Sequence, residues 1–204
     1  MDAVHVVTYV EVAPSSAPAA LALLRRYRAA TSRRDGNLRC EVLQRIGQLH
    51  QLAVLEVWTD EAIFAAHLRQ ASTTEVRDGL AAIRIAPLDE RIHRALSVGS
   101  GAGDGTSPGA IHVVTHVDVI PPRKDDGAAA LDALAAASRA TIGNRRFDVV
   151  QQASRPNHFT VTETWTDAKS AEAHSTAAPT RAFRDALAPM TGALYDERFY
   201  LAVD

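Results

Sequence analysis

Cysteine is nearly missing from the 204-residue chain, with Cys40 standing alone. One thiol closes no intramolecular disulfide and cannot build a zinc ribbon, and no Cys/His spacing points to a metal site. Long apolar runs are missing too. No stretch approaches the roughly 20 residues that a spanning helix requires. There is no block of basic charge: 22 Lys and Arg face 24 Asp and Glu, for a net charge of -2 and a pI near 6.4. That balance excludes the electrostatic footprint of a nucleic-acid or anionic-membrane binder. The start, Met1-Asp2-Ala3-Val4-His5, lacks the basic region and apolar run of a secretory signal, so a cytoplasmic protein is expected. Neither a nucleophile elbow nor a Walker loop occurs.

The chain does contain an internal repeat. His5-Val6-Val7-Thr8 returns as His112-Val113-Val114-Thr115, Gly36-Asn37 as Gly143-Asn144, and Asp89-Glu90-Arg91 as Asp196-Glu197-Arg198, always 107 positions on. Roughly a third of the aligned positions are identical, without a net gap. Residues 1–97 and 110–204 therefore read as duplicated domains, and the glycine-rich 98–109 reads as a flexible linker.

Each copy predicts the same order. Ala3 to Val12 alternates as a strand; Pro14 ends it, and Leu21, Leu24, Tyr27 or Arg28, and Thr31 mark a helix to about Arg34. Gly36-Asn37 stops that helix. Leu38 to Ile46 and Leu49 to Trp58 form a hairpin; Asp60 and Asp167 cap the following helices, a second helical piece covers about Thr73 to Ile85, and Leu88 to Leu96 is the last strand, matched by Tyr195 to Val203. The pattern is βαββαβ, an α+β ferredoxin-like repeat. Both parities of the first strand are apolar, so the second sheet face needs cover as well. Packing one repeat on the other supplies it, giving an intramolecular dimeric α+β barrel. A further homodimer is compatible with this reading.

The most distinctive stretch is Glu56-Val57-Trp58-Thr59-Asp60 with His67, repeated as Glu163-Thr164-Trp165-Thr166-Asp167 with His174. A Glu-x-Trp at the end of the third strand, a His nine residues after the Trp and the βαββαβ order together resemble the antibiotic biosynthesis monooxygenase (ABM) domain. The likeness covers both repeats. It is nearest to quinol monooxygenase-like members, which oxidise phenolic or quinol substrates with O2 and need no metal or flavin. It implies a small aromatic substrate and O2, with His67 and His174 as catalytic bases and Trp58 and Trp165 as ring platforms. Haem-degrading relatives carry an Asn on the first strand beside the Trp and His. Here those strands carry His5, Thr8 and Tyr9, or His112, Thr115 and His116, which argues against haem. His5, Tyr9, His112 and His116 become candidate substrate contacts instead. A non-catalytic binding or assembly module of the same fold is the alternative.

Histidine has the unperturbed pKa, about 6.5, suited to deprotonating a phenol, and a Trp offers a ring face and an N–H donor. Packing explains the same residues without chemistry. Trp58 shares strand parity with Leu52 and Val54, and Trp165 with Phe159 and Val161. Glu56 and Glu163 share that parity and need a partner such as Arg91 or Arg198. Smaller neighbours beside His174, Ala171 for Phe64 and Ser175 for Leu68, point to a roomier second pocket.

Overall fold

The computed structural model describes residues 3–99 and 108–203. Most of the expected linker, 100–107, lies outside the described residues. The first repeat runs β1 (Val4–Glu11), α1 (Ala17–Thr31), β2 (Asn37–Arg45), β3 (Gln51–Trp58), α2 (Glu61–Leu68), α3 (Ala71–Ala81) and β4 (Asp89–Ser97). The second runs β5 (Ile111–Asp118), α4 (Lys124–Arg139), β6 (Asn144–Gln152), β7 (His158–Trp165), α5 (Ala168–Ser175), α6 (Ala178–Leu187) and β8 (Asp196–Ala202). No helix among the described residues is long and apolar enough to cross a membrane.

The two compact units do not coincide with the repeats. One is Met1–Ile92 with Leu201–Asp204, and the other is His93–Tyr200. In the second unit, the end of β4 pairs with β6, His93 opposite Gln152. In the first unit, the chain end joins β2 through Val203 N–H donating to the Val42 carbonyl at 2.8 Å. Each ferredoxin-like repeat thus gives part of its last strand to the other unit, as in a dimeric α+β barrel. Strand exchange of this kind satisfies edge amides that an open sheet leaves unpaired.

In the first unit β3 lies antiparallel between β1 and β2, with Val6 opposite Glu56 and Cys40 also opposite Glu56. Leu52, Val54, Leu24, Tyr27, Val76 and Leu80 pack together between this sheet and α1 and α3. The second unit repeats the design, with β7 between β5 and β6 and a core that includes Leu131, Phe147, Phe159, Trp165 and Phe183.

The repeated Gly-Asn has a steric origin. Gly36 and Gly143 adopt φ of 82° and 87°, a region that costs little only for a residue without Cβ. A Cβ on Gly36 would come 2.8 Å from Ile63 Cγ2. The turn is tied to the end of β3 by Thr59 N–H donating to the Gly36 carbonyl, and Thr166 does the same to Gly143. It therefore fixes where β3 and β7 end, and so where each Trp sits.

Candidate active site

Trp58 closes β3 and is wholly buried, against Val4, Val6 and Phe64. Two residues later the Asp60 carboxylate accepts from Ile63 N–H at 2.8 Å and starts α2; Asp167 accepts from Ser170 N–H at 2.7 Å and starts α5. Nine residues of strand end and helix then carry each His back over its Trp. The ring centroids lie 4.6 Å apart for Trp58 and His67, and 4.5 Å for Trp165 and His174. The spacing read in the sequence therefore brings His over Trp twice, tilted by 35° in the first copy and stacked at 25° in the second.

The second-nearest groups differ between the copies. In the first, α1 brings in Tyr27, whose hydroxyl donates to Glu56 Oε1 at 3.0 Å and lies 2.9 Å from His67 Nε2. Thr73 Oγ1 lies 3.3 Å from the same nitrogen. With the Tyr27 proton committed to Glu56, His67 carries its proton on Nε2 and donates to the phenol oxygen. In the second copy Leu134 stands at the Tyr27 position. The Trp165 indole N–H donates to Glu163 Oε2 at 2.7 Å, and His174 Nε2 lies 3.7 Å from that oxygen. The Trp58 indole N–H lies close enough to Glu56 to lower its pKa, but makes no hydrogen bond of good geometry among the described residues.

Burial governs the electrostatics of both copies. It pushes His67 down to about 4, helped by the positive charges of Arg34 and Arg77, and pushes His174 down to about 4, helped by Arg184. Burial raises Glu56 to about 7, against the Tyr27 hydroxyl and the Trp58 N–H that pull it down, and raises Glu163 to about 8, against the Trp165 N–H. The Tyr27 phenol is held well above its ordinary range by burial and by the Glu56 charge. At neutral pH both imidazoles are uncharged, and the carboxyls titrate where histidines ordinarily do.

One expectation needs correction. Glu56 and Glu163 do lie on the Trp face of the sheet, but their nearest polar partners are Tyr27 and Trp165. Arg91 and Arg198 instead pair with Asp89 and Asp196, two residues away on their own strands. His5, Tyr9, His112 and His116 do not join the Trp–His pairs. Thr8 and Val10 face Glu56 and Val54, so alternation turns Tyr9 and His5 to the opposite sheet face. There the Arg91 guanidinium lies over the Tyr9 ring at 5.6 Å. His112 and His116 contact Thr164 and Thr160 on the corresponding face of the second unit, at 3.3 and 3.1 Å.

A cavity of about 30 Å³ adjoins Glu56 in the first unit, walled by Leu24, Val54, Val76, Leu80 and Leu88, with Tyr27 and Thr8 also lining it. Arg77 and Glu90 pair across its rim at 2.8 Å. In the second unit the corresponding wall positions carry Phe183 for Val76 and Tyr195 for Leu88. Tyr27, Thr73, Arg77 and Glu90 were not singled out as site residues by sequence. Tyr27 did carry a signal, as an aromatic on the buried side of α1 with no aromatic counterpart at 134.

Three solved structures match the whole chain in fold. A candidate monooxygenase from Fusobacterium nucleatum subsp. nucleatum aligns with a TM-score of 0.88 at 14% identity, over 100% of this chain and 93% of that one. A candidate monooxygenase from Lactobacillus acidophilus gives 0.81 at 9%, over 100% and 95%. An anthrone oxidase-like protein gives 0.76 at 12%, over 100% and 92%. At these identities the likeness is one of fold. No curated protein matches the sequence significantly. The family model for antibiotic biosynthesis monooxygenase matches twice, over residues 3–78 and 110–186. With a Trp–His pair inside each match, the chain belongs to the antibiotic biosynthesis monooxygenase family, as a tandem duplication.

Proposed function

We propose that the protein is a cofactor-independent monooxygenase that oxidises a phenolic, quinol or polyketide-like aromatic with O2. The observation that carries this reading is the close Trp58–His67 ring pair beside a buried carboxyl, Glu56, that burial raises to about 7 and that adjoins a cavity. A phenol becomes strongly reducing once its proton is removed, so a site for this chemistry needs a proton acceptor and a water-poor wall. Both are present beside Glu56. In the reaction the phenolate passes electrons to O2. The ring carbon that is oxidised gains one oxygen atom, the phenol loses two hydrogens, and the second oxygen atom leaves as water. Trp58 is buried under the His67 ring and does not line the cavity; the neutral His67 holds Tyr27 in place without adding charge to the site.

Oxygen uptake with a panel of hydroquinones and anthrone-like compounds tests the reading. Wild type should consume O2, and His67→Ala should lower the rate at least tenfold through loss of the Tyr27 contact. Absence of uptake across the panel would favour the non-catalytic binding module.

A further inference from the structure

Glu56 is 3% exposed, yet the cavity connects it to part-exposed Arg77, Leu88 and Glu90 at the rim. About 30 Å³ holds one water-sized group. The space beside Glu56 thus suits a hydroxyl, and part-exposed Leu88 at the rim offers an apolar rest for the ring that bears it.

We propose that Glu56 takes the proton of the substrate hydroxyl, positioned by Tyr27 and, through Tyr27, by His67, and that the second repeat does not perform this step. The inference rests on the monooxygenase reading. In the step the phenol O–H bond breaks, its proton bonds to the Glu56 carboxylate, and the electron pair stays on the phenolate oxygen for later transfer to O2.

Charge balance favours Glu56 over His67. Transfer to a carboxylate exchanges one buried negative charge for another, so the cost of burial is not increased. Transfer to His67 would create a cation in a site where burial and the charges of Arg34 and Arg77 already oppose one. Burial also makes Glu56 a far stronger base than an exposed glutamate, near 7 and close to the working range of a general base. The groups that face it are Tyr27 from α1, Cys40 from β2, His67 from α2, Arg77 from α3 and Glu90 from β4, while β1 presents the uncharged Thr8 and Val10. Tyr27 fixes the carboxylate through Oε1. In the second repeat Leu134 offers no such donor, and Glu163 is instead occupied by the Trp165 N–H.

The test uses the full chain and phenol itself, followed by calorimetry across pH, so that no turnover is required. A hydroxyl donating to a carboxylate binds the ionised form better. Phenol affinity should therefore rise several-fold as pH passes through about 7. The rise should vanish in Glu56→Gln, partly return in Glu56→Asp and persist in Glu163→Gln. Flat or absent wild-type binding, or an unchanged rise in Glu56→Gln, overturns the assignment. Oxygen uptake in the same samples separates the two claims. Uptake undiminished in Glu56→Gln overturns the proton acceptor and leaves the monooxygenase standing, whereas pH-linked binding without uptake keeps the acceptor and overturns the monooxygenase.

Discussion

The two repeats carry the same Glu-x-Trp and His, yet their sites have diverged at the residues that surround it. In the first, Glu56 is held by a phenol and adjoins a small cavity. In the second, Glu163 is held by an indole N–H, and Phe183 and Tyr195 occupy positions that are Val76 and Leu88 in the first. Close contact of His with Trp survives in both, with ring centroids 4.6 and 4.5 Å apart, so that contact is what the fold retains. The partner of the carboxyl is what changed, and with it the chemistry each copy can perform. A conserved spacing therefore reports a scaffold, and the neighbours decide its use.

Changes at the second copy should act on stability, and they can break this comparison. The largest effect is expected from Glu163→Gln. Burial raises the folded-state pKa of Glu163 to about 8 from its ordinary value of 4.5. Since the folded state binds the extra proton, wild-type stability is fullest below about 4.5 and falls as pH rises toward 8. Gln removes that dependence and should stabilise the protein by a few kcal/mol at about pH 9, with little change at about pH 4. Denaturant unfolding at the two pH values measures it. Equal effects at both would show that Glu163 does not titrate across this window.

Trp165→Phe comes next, at about 1–3 kcal/mol, because it strips the donor from a buried carboxyl. Trp58→Phe should cost less, since the Trp58 N–H makes no hydrogen bond of good geometry among the described residues, whereas the Trp165 N–H donates to Glu163 at 2.7 Å. Paired urea melts decide, and a larger loss at Trp58 would reverse the assignment of partners.

Tyr27→Phe should have a smaller effect, and it sharpens the comparison from the first copy. Tyr27 donates to Glu56 and pulls its pKa down, so Phe should raise it and move the acidic limb of the uptake rate to higher pH. A merely structural Tyr27 would change the rate and leave the limb in place. The smallest difference is expected at the caps. Asp60→Ala should cost about 1 kcal/mol, and Asp167→Ala should lower the melting temperature to a similar, small extent, because both carboxylates make the same bond.

Much of the fold was legible because its signals are local or repeated. The 107-residue period, the Asp caps and the Gly-Asn turns each reflect a constraint that acts over a few residues. The Trp–His contact was legible for the same reason, since a strand end and two helical turns fix it. Glu56 could be placed on the Trp face from parity alone. Its partner could not, because Tyr27 lies 29 residues away on another element. His5, Tyr9, His112 and His116 lie on the other sheet face from the Trp–His pairs. These residues are near the motif in the repeat but point through the sheet, and alternation along β1 and β5 decides that orientation.

The claim that the copies are unequal, with the proton taken by Glu56, is tested most directly by oxygen uptake near pH 8 with a hydroquinone. The account predicts a fall of about 10²-fold or more in Glu56→Gln, the scale of a lost general base, and a rate within about twofold of wild type in Glu163→Gln. Equal losses in the two variants, or a loss confined to Glu163→Gln, would contradict it.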